Sequence, residues 1–162
     1  DLETMPNEPN LYLPNGIDYP IDTSGKMPQK HLTFIQDMLG DSAAFLTEYI
    51  GYMFKRTYSP FQTFIIIQGG AGTGKSTLLN MITSLIGEDK ISAVGLQDLA
   101  TDKFASFGLV DKLANIRSDI SSLMIAKPDL IKQVTGDDTI TVEHKEEQAL
   151  SYLSYAKPLF TA

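Results

Sequence analysis

The chain contains no cysteine. That excludes disulfides and thiolate metal sites, and it agrees with a cytoplasmic protein. Histidine is nearly as scarce. His31 and His144 stand far apart in sequence and read as surface or packing residues, not as zinc ligands. No apolar run approaches the length of a transmembrane helix, and the opening Asp1-Leu2-Glu3-Thr4-Met5 is not a signal peptide, so no membrane partner is expected. Positive charge is in deficit: 13 Lys and Arg against 20 Asp and Glu give a net charge of −7. This argues against a broad basic face for duplex DNA but leaves room for a narrow basic strip, such as one lining the pore of a ring. Internal repeats and low-complexity tracts are absent. What remains is 162 residues of ordinary apolar content, enough for one domain with a real core and too few for two large ones.

Glycine, by contrast, is concentrated in one place. Gly69-Gly70-Ala71-Gly72-Thr73-Gly74-Lys75-Ser76 is a full G-x-x-x-x-G-K-[ST] phosphate-binding loop, followed by Thr77. Its glycines let the backbone curl so that successive N–H groups point at phosphate oxygens. Lys75 can reach the β- and γ-phosphates, and the Ser76 hydroxyl can ligate Mg²⁺. A helix starting here adds its positive dipole end to the same anion. The flanks agree with the motif. Upstream, Phe64-Ile65-Ile66-Ile67 is a short β-branched run that reads as a strand buried on both faces. Downstream, from Ser76 to Gly87, Leu78, Ile82 and Leu85 are spaced to share one helical face, with Leu79 and Ile86 beside it and Gly87 as the C-cap.

Elsewhere the pattern is simpler. Residues 1–28, with prolines at 6, 9, 14, 20 and 28, read as an extended lead-in, with room for a short strand or hairpin around Pro14-Asn15-Gly16. Residues 29–60 read as a small helical segment. One helix covers Gln29 to Leu39 and stops at Gly40. A second, capped by Asp41 or Ser42, runs to about Arg56 with Leu46, Ile50, Met53 and Phe54 as its apolar stripe. Tyr58-Ser59-Pro60 turns into the first strand. From Thr63 on, apolar runs and helical stretches alternate, which predicts an α/β fold with a mainly parallel sheet for residues 61–162. Ile91-Ser92-Ala93-Val94 is a weak strand, and Leu96 to Val110 is helical or irregular. Leu113 to Ser118 is a strand ending at Asp119. Pro128 to Val134 suits a short helix, and Thr139 to Glu143 suits a hairpin arm. Lys157 to Ala162 reads as a strand without a closing loop, so both ends look like cuts in a longer chain.

A phosphate loop needs a carboxylate at the end of a neighbouring strand, to hold Mg²⁺ or to orient the attacking water. Asp119 is the candidate; which of the two tasks it serves stays open, and an acid at a strand end can also be a helix cap or a surface residue. Other phosphate-loop classes lack their marks. There is no Asn-Lys-x-Asp for guanine, no Asp-x-x-Gly after the loop, and no Leu-Ser-Gly-Gly-Gln. Arg117 is the only arginine after the loop, too few for a nucleotide-kinase lid. These absences point towards a ring ATPase, in which the neighbouring subunit supplies the arginine.

From about Gly51 to Ala162 the chain resembles the superfamily 3 helicases, and most of all the helicase module of phage and poxvirus-type primase–helicases. The likeness rests on the loop, on Lys103-Phe104…Leu109-Val110-x-Lys112-Leu113-x-Asn115-Ile116 leading into Asp119-Ile120-Ser121, on Lys132-Gln133-Val134-Thr135-Gly136-Asp137-Asp138-x-Ile140 followed by Lys145, and on the final Lys157-Pro158-Leu159-Phe160-Thr161-Ala162. The resemblance implies an AAA+-like P-loop NTPase, truncated at its C-terminus, from a replicative DNA helicase of a phage, virus or mobile element. It would work as a homo-hexameric ring that moves on single-stranded DNA in the (host) cytoplasm, with ATP and Mg²⁺ as cofactors. By the same resemblance Gly69, Gly70, Ala71, Gly72, Thr73, Gly74, Lys75, Ser76 and Thr77 hold the nucleotide, Ser76 and Asp119 the metal, and Lys75 and Asp119 serve catalysis. Lys145, and with it Lys132, would belong to a pore hairpin that touches DNA phosphates. Lys145 beside Glu143, Glu146 and Glu147 reads equally as a solvated side chain. The family's sensor asparagine and arginine finger do not fall within these residues, which implies nucleotide binding with weak turnover by this stretch alone. A non-helicase ATPase switch or loader, and a nucleotide-dependent interaction module without turnover, are the alternatives.

Overall fold

Four short apolar runs line up side by side as parallel strands. The computed structural model describes residues 28–58, 60–102, 104–118, 139–142 and 149–162, together with positions 16, 19, 20, 22, 24–26, 132, 135 and 136. Its elements are α1 (Gln29–Leu39), α2 (Ala43–Met53), β1 (Ile65–Ile67), α3 (Lys75–Ile86), β2 (Ile91–Ser92), α4 (Leu96–Thr101), β3 (Ala114–Arg117), β4 (Ile140–Val142), β5 (Leu150–Tyr152) and β6 (Lys157–Thr161), with 3-10 turns at Gly40–Ser42, Glu88–Lys90 and Ala105–Leu109. The main sheet runs β1-β6-β3-β2, and every pair in it is parallel. The chain is thus α/β with a mainly parallel sheet, as the alternating pattern predicts. A second, two-stranded antiparallel sheet is formed by β4 and β5, with Ile140 opposite Tyr152 and Val142 opposite Leu150.

Strand β6 lies at the centre of the packing and is buried along its whole length. It holds Leu159 opposite Ile65 of β1 and opposite Ile116 of β3. Helix α3 covers the sheet with Leu78 and Ile82, both fully buried, and with Leu79 and Ile86. The same apolar cluster includes Ile35 of α1 and Leu46, Tyr49, Ile50 and Met53 of α2. The two leading helices therefore share one core with the sheet. A smaller cluster of Leu109, Ile140, Val142 and Ala156 seats the β4–β5 hairpin on the 3-10 turn before β3.

Four local expectations change. Leu85 does not join the buried stripe of α3; it is 38% exposed. The stripe follows residues 78, 82 and 86, one and two turns apart, and Leu85 falls outside that face. Strand β1 is not buried on both faces: Ile65 and Ile66 are half-buried, because β1 is the edge of the described sheet. Helix α2 has no side-chain cap from Ser42, whose own backbone is already helical (φ −82°, ψ −4°) after the 3-10 turn that contains Asp41. It ends at Met53, short of Arg56, and the Lys55 carbonyl is taken by the Lys157 ammonium instead. Strand β2 is two residues long because the buried Asn115 side chain, not the ladder, engages Val94. The expected elements at 14–16, at 128–134 and at 143 lie wholly or largely outside the described residues. There, Lys132 and Thr135 are helical, and the Gly136 N–H donates to the Lys132 carbonyl at 2.8 Å.

Candidate functional site

The glycine loop leaves β1 at the carboxyl edge of the parallel sheet, where open α/β sheets bind ligands. Its start is tied to the end of the central strand. The Gly69 N–H donates to the Ala162 carbonyl at 3.2 Å, and the Ala162 N–H donates to the Ile67 carbonyl at 3.1 Å. The Thr73 hydroxyl donates to the Gly70 carbonyl at 2.9 Å and closes the turn. Gly72 and Gly74 stand at φ +76° and +91°, left-handed positions that side chains resist. Gly74 then starts α3, its carbonyl accepting the Leu78 N–H at 2.9 Å. On its outer side the Phe34 ring and the Met38 sulfur of α1 stand within contact of where a Cβ would sit, at 3.6 and 3.8 Å, so α1 braces the loop.

Gly69, Gly70, Ala71, Gly72, Thr73, Ser76 and Thr77 are exposed, and Gly74 and Lys75 are half-buried. The Lys75 ammonium donates to the carbonyls of Gly69 and Gly70, the latter at 2.9 Å, and so lies over the loop. Backbone N–H groups at the start of a twelve-residue helix, left-handed glycines, a lysine and a serine hydroxyl in its first turn make a donor set for a polyphosphate. For Mg²⁺ the donor set offers the Ser76 hydroxyl. Among the described residues no group of three or more His, Cys, Asp or Glu could hold a metal ion.

Strand β3 ends at the same edge of the sheet, at Arg117, followed by the exposed Ser118; Asp119 lies outside the described residues. The strand end is fastened to the β2–α4 connection. Asn115, fully buried, accepts the Val94 N–H at 2.8 Å and the Ser92 hydroxyl at 3.0 Å and donates to the Val94 carbonyl at 2.9 Å. Arg117 donates to the Ala93 carbonyl at 2.7 Å and stands 3.6 Å from Asp98, a pair exposed enough to add little stability. Lys132 is exposed and Lys145 lies outside the described residues. His31 is exposed on α1. The structure thus brings the loop, α1 and the ends of β3 and β6 together.

Sequence reasoning missed Asn115 as an organiser of this edge, and it missed Phe34 and Met38 as neighbours of the loop. It also missed Lys157, which is fully buried. A signal existed for the last: a lysine placed directly before the apolar run Pro158-Leu159-Phe160.

A family model, that of a family of unknown function (DUF5906), matches residues 67–162. No curated protein matches the chain by sequence. Among solved structures the fold is similar to the apo NrS-1 C-terminal region (305–718), with a TM-score of 0.64, 18% identity, and 84% of this chain against 34% of that one. The A form of the same region gives 0.64, 19%, 84% and 33%. JCV helicase, solved with a thiazolopyridine-containing acetamide, gives 0.51, 15%, 80% and 38%. The chain therefore spans about a third of the length of these structures, and at such identities the likeness is one of fold.

Proposed function

The chain belongs to the family of unknown function DUF5906, a membership that assigns no chemistry, and we propose that it is the ATP-hydrolysing core of a DNA helicase. The observation that carries this reading is the loop at 69–76, set between β1 and α3 on a parallel sheet, with Lys75 over it and the end of β3 at the same edge. The reaction is attack of water on the γ-phosphate of ATP. Loop N–H groups and the start of α3 hold the phosphates, and Lys75 exchanges the Gly69 and Gly70 carbonyls for phosphate oxygens and neutralises the charge that develops in transfer. Ser76, together with Asp119, would hold Mg²⁺, whose positive charge would help to offset that on the phosphates. Asp119, two residues beyond β3, holds this metal or orients the water.

The finer reading follows the resemblance to superfamily 3 helicases of phage and poxvirus-type primase–helicases. In it, residues 61–162 are the AAA+-like core, residues 29–60 its leading helices, and the intact protein a homo-hexameric ring on single-stranded DNA in the cytoplasm. Lys145 and Lys132 would touch DNA phosphates, and the neighbouring subunit would lend an arginine. The similarity of fold to JCV helicase supports the unwinding reading. The surplus of negative charge, −7 in all, favours a second reading, an ATPase switch or loader that never tracks along DNA.

In the full-length protein, Lys75→Ala is expected to lower ATP turnover by about a hundredfold or more, the scale of losing one fixed charge-stabilising group. Unchanged turnover would remove the proposal. Turnover in the wild type without strand displacement would favour the switch.

A further inference from the structure

The first residue of the central strand is a buried lysine. Lys157 is 0% exposed. Its ammonium donates to the carbonyls of Lys55 and Tyr155, the latter at 2.8 Å. It also lies over three tyrosine rings, 4.8 Å from the centroid of Tyr52, 5.1 Å from Tyr58 and 6.0 Å from Tyr155. Removing an ammonium from water is costly, and carbonyl acceptors with aromatic faces offset that cost only while they stay in place around it. The cation therefore holds together whatever carries those groups.

Those groups come from two directions. Tyr52, Lys55 and Tyr58 belong to the end of α2 and its exit toward β1. The tyrosines there also bond to the start of β6: the Tyr58 hydroxyl donates to the Ala156 carbonyl, and the Tyr49 hydroxyl donates to the Pro158 carbonyl at 2.8 Å. Tyr155 belongs to the base of the β4–β5 hairpin. There the Asp111 N–H donates to the Tyr152 hydroxyl at 2.8 Å, and the Tyr155 hydroxyl donates to the Asp111 carboxylate at 3.3 Å. Asp111 itself is held at φ +55°, an unusual backbone for a residue other than glycine. The far end of β6 is the piece that receives the phosphate loop, through Thr161 opposite Ile67 and the Ala162 carbonyl on the Gly69 N–H. A buried, extended strand does not stretch, at about 3.3 Å per residue. A shift of the hairpin base at Lys157 therefore arrives at Gly69.

We propose that Lys157 is a positioning residue that couples the β4–β5 hairpin to the phosphate loop, with the tyrosines of α2 and its exit as the fixed support. The proposal rests on the reading of the protein as a DNA-stimulated ATPase. It assigns the coupling to the base of the hairpin, whatever its tip contacts.

The test uses the full-length protein and measures ATP turnover with and without single-stranded DNA. Lys157→Met keeps the length and apolar stem of the side chain and removes the charge and its donors. Basal turnover is expected to stay within about twofold, while the stimulated-to-basal ratio falls by about fivefold or more, the lower range of coupling between sites. A merely structural role would lower both rates and leave their ratio alone. Should Lys157→Met not fold, Tyr152→Phe decides. It keeps the ring at the half-exposed hairpin base, loses the hydroxyl that takes the Asp111 N–H, and should lower the ratio with little change in melting. Wild-type stimulation in the folded variants overturns this inference alone. A wild-type protein without turnover, or without stimulation by DNA, overturns the helicase reading and the inference with it.

Discussion

Asn115 shows how much one side chain organises at the edge of the site. It is the one buried polar residue of β3, where its neighbours Ala114 and Ile116 are core residues, and it has no exposure at all. Its amide replaces the ladder that β2 stops short of making, serving both the N–H and the carbonyl of Val94. Truncation leaves those two half-buried backbone groups without this partner and takes away the nearer acceptor of the Ser92 hydroxyl, which keeps only the Ala114 carbonyl at 3.4 Å. Asn115→Ala is therefore expected to cost about 2–3 kcal/mol in urea unfolding. A cost near zero would mean that water or a shifted Ser92 replaces the amide. The turn of the loop was legible at this scale because it is a local device: glycines at set spacing, ahead of a lysine and a serine, shape their own backbone. Asn115 was not legible, because its partners lie more than twenty residues away and nothing in its own neighbourhood marks it.

Among the elements, helix α3 separates what periodicity can say from what it leaves open. The spacing gives the helix, its start at the loop and its end at Gly87, which the structure places at φ +99° with its N–H on the Thr83 carbonyl at 2.8 Å. It does not rank the apolar residues, because Leu85 and Ile86 are neighbours on adjacent faces and either could face the sheet. The structure chooses Ile86. Ile82→Ala, at a fully buried position, should cost about 3–4 kcal/mol. Leu85→Ala, 38% exposed, should cost about 1 kcal/mol or less. Equal losses in chemical denaturation would contradict this packing. The same logic holds for β1. A run of isoleucines reports an apolar environment, but whether a strand is central or at an edge depends on which distant segment pairs with it.

At the scale of the whole molecule, the leading helices, the sheet and the hairpin meet through tyrosines. Burial raises the phenols of Tyr49 and Tyr58 well above the ordinary value of 10.0, and the other tyrosines of the cluster add to it. Above pH 10 the unfolded chain releases these two protons while the folded chain keeps them, so the folded state binds more protons. Stability is full below pH 10 and should fall as the pH rises past it, by about 1.4 kcal/mol per pH unit for each group. Thermal melts on the alkaline side, followed by tyrosinate absorbance, would check this. Melting temperatures independent of pH there would show that neither phenol is sequestered.

By itself, the sequence determined the leading helices, the glycine loop with the strand and helix that flank it, and most of the other strands, because helix and strand periods and the glycine spacing act over a few residues. The order β1-β6-β3-β2, the support of the loop by Ala162 and α1, and the buried Lys157 among tyrosines were decided only by the tertiary structure. Each of these is a contact between segments far apart along the chain. Its energy comes from shared burial and from hydrogen bonds closed across that distance, and neither segment carries its partner's address in its own pattern.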